Sequence, residues 1–95
     1  MELEWDEAKS RRNLLLRGFD FAHAGLIFEG PVIEREDGRI DYREVRLIAT
    51  GIVDGECLTV VYTPRADRLR IISARRASRK ERHAYRQAIP GPGPR

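Results

Sequence analysis

The stretch RIISARRASRKERHAY, Arg70 to Tyr85, decides how this chain is built. It holds six Lys or Arg side chains in sixteen positions and one carboxylate, Glu81. Its first half predicts a strand, whereas Ser78 and Glu81 have the S-x-x-E spacing of a helix capping box. The cations are therefore concentrated where a strand passes into a helix N-terminus, which attracts anions. The stretch predicts a solvated face, a docking surface for an acidic partner, or a site for a phosphate backbone.

Two helices are predicted before this point. Asp6 has the character of an N-cap in front of EAKSRRNLLL, and Gly18 provides the stop. Asp20 caps a second, shorter helix, FAHAGLIF, which Gly30 and Pro31 close.

The middle of the chain predicts strands separated by turns. Asp37-Gly38 and Asp54-Gly55 are hairpin signals. On the last strand, alternation predicts that Leu69, Ile71 and Ser73 share one face and that Arg70, Ile72 and Ala74 share the other. The four predicted strands are PVIERE (31–36), YREVRLIAT (42–50), CLTVVYT (57–63) and LRIISAR (69–75).

These elements predict an α+β fold with two N-terminal helices, a four-stranded antiparallel sheet and a C-terminal helix. They fill one domain, residues 1–89, and the Pro/Gly tail 90–95 is predicted to be disordered. No apolar run approaches the roughly 20 residues of a membrane span, and a single cysteine fits a reducing compartment, so a cytoplasmic protein is expected.

Composition also limits the chemistry. The net charge is +3, but the basic residues dominate after position 64 and the acidic ones before it. Cys57, His23 and His83 are the only soft metal ligands and show no ligand spacing, so we expect no metal and no cofactor. Cys57 opens a predicted core strand, where a small buried hydrophobe is favoured over a nucleophile.

RNA cleavage without a metal needs a group that activates the 2′-hydroxyl, cations for the phosphorane and a proton for the leaving 5′-oxygen. Arginines suit the second task, and Glu44, His83 or Tyr85 the others. Each of these three residues also has a structural interpretation. Tyr85 also fits a core anchor, His83 a surface histidine, and Glu44 an ion pair with a cross-strand arginine.

The chain resembles the BrnT toxins of bacterial type II toxin–antitoxin systems over residues 3–86, with the closing segment as the specific part. The shared motifs are W-D-x-x-K-x-x-x-N, G-x-x-F, V-V-x-T and R-I-I-S-A-R-x-A-x-x-x-E-R-x-x-Y. Here they fall on Trp5, Asp6, Lys9 and Asn13; on Gly18 and Phe21; on Val60, Val61 and Thr63; and on Arg70 to Ala77 with Glu81, Arg82 and Tyr85.

The resemblance implies a compact fold like that of the RelE ribonuclease toxins and metal-independent RNA cleavage that arrests translation and growth. It also implies neutralisation by a cognate antitoxin, BrnA, which carries a DNA-binding dimerisation domain and represses the operon together with the toxin. The chain departs from the family in one place: many members have a Lys-His pair where this sequence has Leu16 and Arg17.

A ribonuclease toxin is therefore the leading hypothesis, with Glu44 as the base and Tyr85 or His83 as the acid. The alternative is a non-catalytic module that binds nucleic acid or a protein through its basic face. The scissile phosphate is predicted to lie near four arginines, Arg46, Arg65, Arg75 and Arg82. Further RNA contacts are assigned to Lys9, Arg17, Arg70, Arg76, Arg79 and Lys80.

Overall fold

The structure is a computed structural model that describes residues 2–38 and 44–91. Its strands are β1 (Glu2–Trp5), β2 (Ile33–Glu36), β3 (Leu47–Val53), β4 (Glu56–Arg65) and β5 (Arg68–Arg76). Its helices are α1 (Glu7–Arg17), α2 (Phe21–Ala24) and α3 (Arg79–Ala88), and a 3-10 turn, Gly25–Glu29, extends α2.

The strands form one mixed sheet in the order β1-β5-β4-β3-β2. The predicted α+β class is confirmed, but the prediction of four antiparallel strands is wrong in detail. Strands β2 to β5 are antiparallel neighbours, and β1 adds a fifth strand parallel to β5. Four residues of the acidic N-terminus thus join the sheet, where their carboxylates meet arginines of β5: Glu2 pairs with Arg68, and Glu4 with Arg70 at 2.9 Å.

One face of the sheet, here called the core face, carries the main hydrophobic core. Leu58, Val60 and Tyr62 alternate on β4 and point to this face. Helix α2 and its 3-10 extension cover them with Phe21 and Ile27, which are almost fully buried. Helix α1 begins at the predicted cap Asp6, whose carboxylate accepts two backbone N–H groups, and ends at Gly18 in the left-handed conformation.

The opposite face, here called the α3 face, is partly covered by helix α3. The predicted capping box is present: the Ser78 hydroxyl accepts from the Glu81 N–H, and the Glu81 carboxylate accepts from the Ser78 N–H. The Ala77 N–H donates to the Cys57 carbonyl, and the Tyr85 hydroxyl donates to the Pro31 carbonyl. Helix α3 is thereby fastened at both ends over one half of this face.

A bulge in β5 changes which side chains share a face. Val61 pairs with Ser73 but Tyr62 pairs with Ile71, so Ile72 has no partner on β4. The extra residue shifts the alternation, and Ser73 lies on the face of Arg70 while Ala74 joins Ile71 in the core. The simple alternation predicted for this strand was therefore wrong beyond Ile71.

Some predictions fall partly outside the described residues. Tyr42 and Arg43, the predicted start of the second strand, lie there, and the observed strand begins at Leu47. Residues 92–95 of the tail also lie outside. Of the helices in residues 2–38 and 44–91, none has the length and apolar character needed to cross a bilayer.

Candidate functional site

Three of the predicted site residues meet where β3 and β4 lie side by side, beyond the half of the α3 face that the helix covers. The Glu44 carboxylate lies 3.3 Å from Arg46 Nε through Oε1 and 3.6 Å from Arg65 Nη2 through Oε2. Glu44 is three-quarters buried, whereas about half of the Arg65 side chain is exposed. We call these three residues the Glu44 cluster. It combines a proton acceptor with two guanidinium groups, and it also fulfils the alternative expectation of an ion pair between Glu44 and a cross-strand arginine.

Strand pairing determines what else shares this face. Thr63 and Arg65 alternate on β4 and pair with Arg70 and Arg68 on β5. Thr63 is almost fully buried beneath these longer side chains. Arg70 is therefore the predicted RNA-contacting residue that lies nearest the Glu44 cluster in the sheet, and its guanidinium is held by Glu4.

Arg75 lies on the same face but under helix α3. It pairs with Thr59, which is six residues before Arg65 on β4, or about 20 Å at ~3.3 Å per residue. Its guanidinium makes a two-point ion pair with Glu81, at 2.6 and 2.9 Å. Arg75 therefore fastens helix α3 to the sheet, and one phosphate group cannot contact both Arg75 and Arg65.

Glu81 is the centre of a buried polar group beneath helix α3. Its carboxylate also accepts from Thr59 Oγ1 at 3.1 Å, from the Ser78 N–H at 2.8 Å and from Arg35 at 3.4 Å. The hydrogen bonds from Arg75, opposed by burial and helped by Ser78, lower the pKa of Glu81 from 4.5 to about 2. The carboxylate is thus ionised and fully engaged, so it is a structural anion and a poor proton acceptor.

The two predicted acids lie apart from the Glu44 cluster. Tyr85 is 3% exposed, and its hydroxyl is used by the Pro31 carbonyl; burial raises the pKa of this phenol. His83 is exposed on the outer side of α3. Tyr85 thus fits the core-anchor alternative and His83 the surface-histidine alternative.

Arg82 lies on the far flank of α3 from Arg75. Consecutive helical residues are about 100° apart, so Lys80 and Arg82 fall on opposite sides of the inward-facing Glu81. The Arg82 guanidinium donates to the Ala77 carbonyl at 2.8 Å and lines a small hollow beside Cys57. Four neighbouring side chains make no hydrogen bond or ion pair with any other described residue: Arg79, Lys80, His83 and Arg86.

The remaining predicted RNA contacts lie on the other side of the sheet. Lys9 and Arg17 are exposed on α1, which packs with α2 on the core face. Arg76 lies over the Phe19 ring, pairs with Glu56 at 2.7 Å and donates to the Arg17 carbonyl. Arg76 thereby links the end of α1 to β5, and none of the three residues approaches the Glu44 cluster.

Cys57 is buried, as predicted, and burial is the main cause that raises the pKa of its thiol. In the part of the chain that the structure describes, no three His, Cys, Asp or Glu side chains are grouped as metal ligands would be.

Sequence reasoning missed the polar group beneath α3. The Thr50 and Thr59 hydroxyls form a hydrogen bond of 2.9 Å with each other, and the Thr59 hydroxyl also forms a hydrogen bond with the Glu81 carboxylate. Two signals pointed to it: hydroxyl residues at matching places in two apolar strands, and a single carboxylate in a strongly basic stretch.

Comparisons with known proteins agree with this architecture. A family model described as the ribonuclease toxin, BrnT, of type II toxin–antitoxin systems matches residues 5–81. A search of curated proteins gave no match. The matched range runs from the last residue of β1 to the third residue of α3, so it contains the whole antiparallel part of the sheet, the Glu44 cluster and Glu81. The predicted family is confirmed, and the chain belongs to the BrnT family of ribonuclease toxins of type II toxin–antitoxin systems.

Proposed function

We propose that this protein is a metal-independent endoribonuclease that acts in the cytoplasm, inhibits translation and growth, and is neutralised by a BrnA-like antitoxin. Operator DNA is contacted through the antitoxin. The observation that carries the proposal is the Glu44 cluster, a largely buried carboxylate held between two arginines on the sheet face beyond helix α3.

The chemistry assigned to the cluster uses the nucleophile that RNA itself supplies. Glu44 accepts the proton of the 2′-hydroxyl as the 2′-oxygen attacks the adjacent phosphorus. Arg46 and Arg65 offer N–H donors to the phosphorane oxygens, where negative charge increases. The bond to the 5′-oxygen breaks, and this oxygen takes a proton from solvent. The products are a 2′,3′-cyclic phosphate and a 5′-hydroxyl.

A phosphate can bind while the ion pairs of the Glu44 cluster stay in place. In the free protein, Glu44 accepts from Arg46 and lies within ion-pair distance of Arg65. A guanidinium has five N–H donors, so each arginine can hold the carboxylate and a phosphate oxygen together. Arg65, the more exposed of the two, is placed to meet the phosphate first, and Arg70 is placed to contact a neighbouring nucleotide.

The test is cleavage of RNA in a chelator by purified protein. Glu44→Gln keeps the size and polarity of the side chain but cannot take the proton, and loss of a general base costs roughly 10²–10⁴-fold in rate. Arg65→Ala removes one cation of the pair. Arg12→Ala, an exposed arginine on α1 across the sheet, is the matched control and should cleave like the unchanged protein.

Growth of cells that express each variant gives the same comparison in vivo. Glu44→Gln should relieve the growth arrest, and Arg12→Ala should not. If Glu44→Gln is folded and still cleaves at the original rate, the cluster is not the site. If the unchanged protein shifts RNA in a gel without shortening it, the protein is a non-catalytic nucleic-acid-binding module, and its affinity should fall steeply with salt.

A further inference from the structure

The outer edge of β2 is open to an incoming strand. In the described residues, β2 ends the sheet and pairs with β3 alone. The Asp37 N–H donates to the Arg46 carbonyl at 2.9 Å, in register with the pairing of Arg35 and Ile48. Because antiparallel residues alternate between bonded and non-bonded pairs, Glu34 and Glu36 direct their main-chain N–H and C=O groups away from β3. These groups are where a further strand would bond.

A cleft of about 540 Å³ lies directly beside this edge, between β2, β3 and helix α3. Ile33, Ile48 and Ala84 give it apolar walls, and Arg35 and Lys80 give it a cationic rim. A chain that pairs with β2 would send every second side chain to the α3 face, where the cleft lies. The site therefore fits an extended segment with an apolar side chain for the cleft and carboxylates for the rim.

On the α3 face of this edge, charge favours an acidic occupant, because the Glu34 and Glu36 side chains alternate to the core face. About 62% of the Arg35 side chain is exposed, and its ion pair with Glu81 is long, at 3.4 Å. Lys80 has no partner among the other described residues.

The cleft is also better suited to a peptide than to RNA. Among the described residues, its lining contains no aromatic ring on which a base could stack, and nucleic acid has no main-chain amides to bond along a strand edge. A protein segment can pair with the edge of β2, place an apolar side chain between the apolar walls and place carboxylates on the cationic rim.

We propose that an extended acidic segment of the antitoxin adds to β2 as the outermost strand of the sheet, with an apolar side chain in the cleft and carboxylates on Arg35 and Lys80. The proposal rests on the antitoxin partner named in the proposed function. Strand β3, to which β2 is bonded, begins directly after Arg46 of the Glu44 cluster. A chain along β2 would therefore lie beside the path of RNA to that cluster.

The test measures binding of a BrnA-like antitoxin by isothermal titration. Glu36→Pro removes an outward N–H without breaking a bond to β3, whereas Glu36→Ala, the matched control, removes only the side chain. Loss of an edge hydrogen bond should weaken binding about tenfold in Glu36→Pro, and Glu36→Ala should bind like the unchanged protein. Lys80→Glu should weaken binding and decrease its dependence on salt, because it removes one of the attractive charge pairs.

Far-ultraviolet circular dichroism and urea unfolding of each variant show whether it is folded. Should Glu36→Pro fail to fold, hydrogen exchange on the unchanged complex replaces it, and the Glu34 and Glu36 amides should become protected. Equal binding by Glu36→Pro and Glu36→Ala, or unprotected β2 amides, would overturn the proposal. Loss of RNA binding instead of antitoxin binding would assign the edge to RNA, and loss of self-association would assign it to a second copy. A protein that binds the antitoxin at β2 but cleaves no RNA would overturn only the proposed function.

Discussion

Protonation of Glu81 should remove much of the attachment of helix α3 to the sheet. The carboxylate has a pKa of about 2 in the folded protein against an ordinary value of 4.5, chiefly because Arg75 donates two hydrogen bonds to it. Each unit of difference is 1.36 kcal/mol, so the ionised form contributes about 3 kcal/mol to stability. Since the folded pKa is the lower one, this contribution is complete above pH 4.5 and is lost as the pH falls towards 2.

Glu81→Gln is the corresponding substitution. It keeps the side-chain length but replaces charge-assisted bonds with neutral ones beside a half-buried Arg75, so a loss of about 2–3 kcal/mol is expected at pH 7. The gap between the two proteins should close between pH 4.5 and pH 2. Urea unfolding, followed by the fluorescence of Trp5, the single tryptophan, measures the loss of stability at pH 7 and how the difference between the two proteins changes with pH.

Glu56→Gln is the matched control, because the ion pair of Glu56 with Arg76 is exposed on both sides and should contribute at most about 1 kcal/mol. The reasoning fails if Glu81→Gln and Glu56→Gln cost the same. It also fails if the unchanged protein and Glu81→Gln lose stability in parallel as the pH is lowered through this range.

Three further substitutions test the fold and the site. Gly51→Ala places a Cβ 2.8 Å from the Ile27 Cβ, and this overpacking should cost about 1–3 kcal/mol by urea unfolding. Gly18→Ala puts an alanine at φ +89° and should lower the free energy of unfolding by about 1 kcal/mol; an unchanged midpoint would show that the helix end rearranges. Tyr85→Phe removes the hydrogen bond to the Pro31 carbonyl and should cost about 1 kcal/mol while RNA cleavage stays normal; slower cleavage by the folded variant would restore Tyr85 as an acid.

Local structure was predictable where a short-range rule applies. Asp6, Asp20 and Ser78 cap the three helices as predicted, because each side chain only has to reach an amide within three residues. The turn at Asp54-Gly55 joins β3 to β4 with both residues at positive φ, as its hairpin signal required.

Long-range features were not predictable from the same rules. Strand β1 is stabilised by pairing with β5 at the other end of the chain, and four residues of an acidic N-terminus carry no local signal of that partner. Of the residues predicted to form the site, Glu44, Arg46 and Arg65 meet, but Arg75 and Arg82 lie on opposite flanks of helix α3. Closeness in sequence did not become closeness in space, because consecutive helical positions diverge around the axis.

The unpaired Ile72 lets β5 hold one residue more than β4 pairs with while helix α3 keeps its contacts. Arg70 and Arg75 are an odd number of positions apart, yet both reach the α3 face because one residue between them is skipped by β4. In a chain that lacks Ile72, these arginines would be four positions apart, and regular alternation would keep both on the α3 face and Ala74 in the core. Glu81 would keep its main cation. A one-codon deletion at Ile72 should therefore remove the bulge and leave the ion pair of Arg75 with Glu81 in place.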